Sequence, residues 1–94
     1  MTAFDIYTVA YIAYLAARNL RDEALAAFNA ASEAHPSTLD IAEAIERMAR
    51  GEELPPRHPA IVAADEALGK AEELFNEAAL ELGKARRAYE LQRG

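Results

Sequence analysis

Cysteine and tryptophan are absent from these 94 residues, and glycine and proline occur only four times each. Without cysteine there is no disulfide and no thiolate chemistry, a usage that fits a reducing cytoplasm. The four glycines stand alone at 51, 69, 83 and 94, so no glycine-rich loop can cradle a phosphate. So few glycines and prolines also leave the chain few places to turn. Hydrophobic residues make up 52% of the chain, which argues against disorder. Twenty-three of them are alanine, the best helix former and a poor strand former, so the expected class is all-α. Ninety-four residues can bury one core, giving a single domain over 1–94.

Positive charge is also scarce, and the net charge is −6. A surface of that sign does not grip a nucleic-acid backbone or an anionic membrane, so neither is expected as a direct partner. The cations that exist gather late: both lysines lie at or after position 70, and Lys84, Arg86, Arg87 and Arg93 fill the last turns, where they complement a helix dipole. One stretch carries no charge at all. Residues 6–17, IYTVAYIAYLAA, are too short to span a bilayer, which takes ~20 residues, and no basic segment precedes them. They are read as a core helix of a cytoplasmic protein.

Four helices are expected. Thr2 with Asp5 has capping-box spacing and opens a first helix from about 3 to 18; Asn19 with Asp22 repeats it and opens a second, which stops near His35-Pro36. Ser37 and Asp40 cap a third, ended by Gly51 at the C′ position. Three prolines within five residues make 52–59 a stiff connector, after which Pro59 opens a fourth helix running to about 92, roughly twice as long as the others.

That last helix carries a heptad seam: Ile61, Ala64, Leu68, Ala71, Phe75, Ala78, Leu82, Ala85 and Tyr89, with large residues at one core position and alanine at the other. The alternation lets a facing helix approach more closely than leucine against leucine, as in alanine-rich antiparallel helix pairs. Gly69, Asn76 and Gly83 recur every seven residues beside it, as a close helix crossing or an indifferent solvated face would allow. In the first helix, Phe4, Tyr7, Tyr11 and Tyr14 form one edge, and Ile6, Val9, Ala13, Ala16 and Ala17 line another. Tyrosine joins an apolar ring to a hydroxyl that seeks water, so if the aliphatic side packs inward the tyrosine edge is the candidate partner surface.

Catalytic and metal-binding patterns are missing. His35 and His58 each precede proline, and no Glu-x-x-His or His-x-x-x-His offers converging metal ligands; both read as boundary residues, with paired haem ligation the distant alternative. Paired carboxylates such as Glu72-Glu73 lie on an exposed helix instead of a cleft. No enzyme activity and no cofactor is expected.

Ala24, Phe28, Ala31 and Pro36, at offsets 0, 4, 7 and 12, resemble the second helix of a tetratricopeptide repeat and its closing proline. That resemblance implies a peptide-binding helical hairpin over 8–36. It covers less than a third of the chain and no second repeat follows at a period of 34, so it is read as convergent hairpin packing.

The functional expectation is a non-enzymatic helical protein–protein interaction module, self-associating as a homodimer, that binds or blocks a protein partner. Its candidate interface comprises Phe4, Tyr7, Tyr11, Tyr14, Leu68, Ala71, Phe75, Ala78, Leu82 and Tyr89. The alternatives are a small acidic inhibitor of a nucleic-acid-binding complex, of the anti-CRISPR kind, a small-ligand binder between helices, and a de novo design.

Overall fold

Three helices, not four, make up the computed structural model, which describes residues 1–36 and 39–93. Helix α1 spans Ala3–Ala34, α2 spans Ile41–Ala49, and α3 spans Pro59–Arg93. The first two expected helices are one. Asn19 and Asp22 match the spacing of a capping box, but each costs a helix interior only ~0.7 kcal/mol relative to alanine. A break there would strip intrahelical partners from about four carbonyls and four N–H groups. No glycine or proline lies between Thr2 and His35 to force that loss.

At Thr2 the same signature does cap a helix. The Thr2 Oγ1 accepts from the Asp5 N–H at 3.1 Å, and the Asp5 carboxylate accepts from the Thr2 N–H at 3.0 Å. The hydrogen bond from the Thr2 backbone, followed by that from its hydroxyl, holds the Asp5 carboxyl below its ordinary range. A carboxylate so depressed contributes stability that is present above its unfolded-state pKa and lost as pH falls through the folded value. The expected result is an Asp5 titration midpoint, followed by carboxyl NMR, that lies below the ordinary aspartate range and rises in Thr2→Ala. Equal midpoints in wild type and variant would show that the box does not hold in solution.

Helix α2 begins at N-cap Asp40, whose carboxylate accepts from the Glu43 N–H at 2.7 Å; the expected cap residue Ser37 lies outside the described residues. It ends in a Schellman turn. Gly51 has φ +74°, its N–H donates to the Met48 carbonyl, and the Glu52 N–H donates to that of Arg47. Only glycine adopts that φ without strain. Helix α3 opens on Pro59 at its first position, with His58 as N-cap: the His58 Nδ1 accepts from the Ala60 N–H at 3.0 Å.

Helices α1 and α3 run antiparallel as a hairpin. At the open end Phe4 and Tyr7 meet Tyr89, midway Tyr14 meets Phe75, and at the closed end His35 stacks on His58. Joining the first two expected helices resolves the length mismatch, since α1 and α3 come to about 48 and 52 Å at 1.5 Å per residue. The molecule measures 60 × 26 × 15 Å with a radius of gyration of 20.1 Å. A compact chain of this length has a radius near 12 Å. Helix α2 approaches neither long helix to within 8 Å between Cα atoms, and its apolar stripe of Ile41, Ile45 and Met48 is exposed. Among the described residues no helix is long and apolar enough to cross a membrane.

Candidate functional site

The hairpin contact is built from two matching rows. On α3 all nine seam residues, from Ile61 to Tyr89, are buried or half-buried. On α1 the equivalent row is Ala3, Tyr7, Ala10, Tyr14, Ala17, Arg21, Ala24, Phe28, Ala31 and His35, again with none exposed and spacings of four and three throughout. Both helices therefore place alanine at one core position and a larger residue at the other. Among the described residues the buried ones are all alanines: Ala3, Ala17, Ala71 and Ala85. The positions that suggest a tetratricopeptide helix, Ala24, Phe28 and Ala31, belong to this heptad, and 8–34 lie in one continuous helix instead of a hairpin.

Large residues on one side and alanines on the other give the hairpin two unlike flanks. The first is aromatic. Tyr7 lies 5.6 Å from Tyr89 between ring centroids and Phe4 lies 5.8 Å from it, while Tyr11 stacks on Tyr7 at 6.4 Å. Tyr14 meets Phe75 at 5.3 Å, and the Arg21 guanidinium covers the same ring at 4.1 Å, a cation–π contact that explains an arginine in a seam position. Among the described residues no ion pair joins α1 to α3; each is a surface pair within a helix or between neighbouring segments, so apolar and aromatic contacts hold the hairpin.

The tyrosine edge and the α3 seam, read from sequence as alternative partner surfaces, thus face each other. Tyr7, Tyr14, Leu68, Ala71, Phe75, Ala78, Leu82 and Tyr89 lie in or beside the internal contact, and Phe4 and Tyr11 remain exposed at its edge. Of the aliphatic edge expected to pack inward, Ala17 does so at 7% exposed, but Ile6 at 47%, Val9 at 58%, Ala13 and Ala16 are left outside, and Leu20, 51% exposed, continues their row. A two-helix contact has no deep interior, so a tyrosine ring can cover the seam while its hydroxyl stays wet. The spacing of Ile6, Val9, Ala13, Ala16 and Leu20, three and four alternately, was visible in the sequence, but not which stripe would face α3.

The second flank is a shallow apolar groove of about 420 Å³. Its floor is Ala10, Ala17 and Ala78 from the seam, and its walls include Ala13, Ala16 and Leu20 on α1 and Leu74, Glu77 and Glu81 on α3. Alanine rows that let the helices approach also leave the space beside them unfilled. Gly69 and Gly83 take no part in a crossing, because a Cβ at either would meet nothing within 4 Å.

At the closed end a cleft of about 700 Å³ lies between His35, His58, Ile41, Leu54, Pro55 and Arg57. The two imidazoles are parallel within 7°, with centroids 3.5 Å apart. Rings in van der Waals contact leave no room for a porphyrin between them, so paired haem ligation does not fit this arrangement. The faces of the hairpin have to be interpreted from their own chemistry, since no family model, no curated protein and no solved structure matches the chain.

Proposed function

We propose that this chain is a non-enzymatic helical interaction module that self-associates and acts by engaging or blocking a protein. The observation that carries the reading is the uncovered aliphatic stripe of α1, Ile6, Val9, Ala13, Ala16 and Leu20, set beside an apolar groove on a hairpin whose buried residues, among those described, are four alanines. The chain exposes 7225 Å². A compact protein of its mass exposes about 5,400 Å², so roughly 1,800 Å² is surplus to a folded monomer's usual share. A standard interface covers about 800 Å² per partner, which this surplus readily supplies. Large apolar areas on a small soluble chain mark contact surfaces.

Light scattering across a dilution series tests the reading. The expected mass at micromolar concentration is near twice the 10.3 kDa chain, and it persists in 1 M salt, where charge attraction is screened to ~3 Å but apolar burial is not. A monomer throughout the series overturns self-association. A dimer that dissolves at high salt would assign the contact to charge.

A further inference from the structure

The second stripe of α1 is offset from the seam by one residue: Ile6, Val9, Ala13, Ala16 and Leu20 each precede Tyr7, Ala10, Tyr14, Ala17 and Arg21. One residue is about 100° around a helix, close to the right angle between the two contacts that each helix makes in a four-helix bundle. The hairpin supplies one of those contacts and leaves the other open. We infer that the open one is filled by α1 of a second copy, running antiparallel across a twofold axis at Ala13, so that two hairpins close into a four-helix bundle. This rests on the self-associating reading above and names its surface and symmetry.

The symmetry of the stripe selects a second copy over an unrelated helix, and charge and exposed area accord with it. The stripe is self-complementary about its centre. Reversed about Ala13, Ile6 falls opposite Leu20 and Val9 falls close to Ala16, so large residues meet at both ends, and the small residues at the middle let the backbones approach. Charge selects for no foreign partner: between Asp5 and Arg18 the helix carries no ionised side chain. The neighbouring edge of α3 carries Lys70, Glu77, Glu81 and Lys84, two of each sign around the exposed Leu74, so it favours neither a cationic nor an anionic ligand. The surplus of exposed surface derived above is also large enough for a standard twofold interface on each copy.

Because the chain has no cysteine, single-cysteine variants report the contact without interference. A residue on a twofold axis lies beside its own copy, and a disulfide forms only where Cα atoms come within about 7 Å. Under oxidised glutathione, Ala13→Cys should become a covalent dimer nearly completely. Ile6→Cys mixed with Leu20→Cys should crosslink well above either variant alone, and Ile45→Cys on α2 should stay largely uncrosslinked. Mass measured under reducing conditions separates the two claims. A reduced dimer in which Ala13→Cys does not crosslink, or in which Ile45→Cys crosslinks instead, overturns the α1 twofold and leaves self-association standing. A reduced monomer overturns both.

Discussion

Ala71→Leu lowers the unfolding free energy by about 1–3 kcal/mol, the cost of forcing a larger side chain into a filled contact. Ala71 is 7% exposed, one of the four alanines on which the two long helices meet. Three added heavy atoms there must either push α1 away along the seam or drive the leucine off its rotamers. Ala85, equally buried, should respond alike. Ala78 is half-buried and borders the groove, so Ala78→Leu has an outlet and should cost less. Glu73→Leu, exposed on the far side of α3, is the control and should change stability by under about 0.5 kcal/mol. Alanine, leucine and glutamate all favour helix, so propensity does not confuse the comparison. Urea or thermal unfolding at fixed protein concentration reads the series. A neutral or stabilising Ala71→Leu would mean that the hairpin contact is slack and that alanine sits there for composition alone.

Helix α3 was legible in the sequence because its signals agree. Proline opens it, none interrupts it, and nine seam positions keep one spacing from Ile61 to Tyr89. In α1 the local signals conflict at one point. Asn19 and Asp22 carry the same cap spacing as Thr2 and Asp5, and local pattern cannot tell an N–H in need of a cap from one already bonded inside a helix. The heptad could have decided it. Ala17, Arg21, Ala24 and Phe28 continue the three-four spacing straight across the supposed break, but an arginine in a core position hides the continuity until Phe75 is seen beneath it.

The orientation of α1 was not legible, for a different reason. Its tyrosine stripe and its aliphatic stripe are both apolar enough to pack, and a stretch with no charge from residue 6 to 17 offers no polar face to fix which one turns outward. The rings of Tyr89 and Phe75 decide it, by matching Phe4, Tyr7 and Tyr14 across the hairpin. What local pattern did give for α2 was its caps and its apolar stripe. It gave no partner for that stripe, and within the described residues the chain supplies none at backbone packing distance.

Ala13→Glu should weaken self-association by at least about a hundredfold while leaving the hairpin folded. The side chain at 13 is exposed in the single chain, so a glutamate there meets water, and it remains a good helix former. Stability measured where the protein is already dissociated should therefore change by less than about 0.5 kcal/mol. In the proposed dimer the same substitution places two carboxylates against each other across the twofold axis, in a setting cleared of water, and like charges so placed cost several kcal/mol. Because both copies carry the change, one substitution acts twice. The symmetric arrangement also predicts the rescue: a mixture of Ala13→Glu and Ala13→Lys chains should associate more tightly than either variant alone, since opposite charges then meet at the axis. Sedimentation equilibrium on the wild type, each variant and the mixture reads all four affinities. If Ala13→Glu dimerises as tightly as the wild type, α1 does not meet its copy at this residue. If both variants weaken association but the mixture restores nothing, position 13 lies in the interface and away from its axis, and the antiparallel pairing of Ile6 with Leu20 falls.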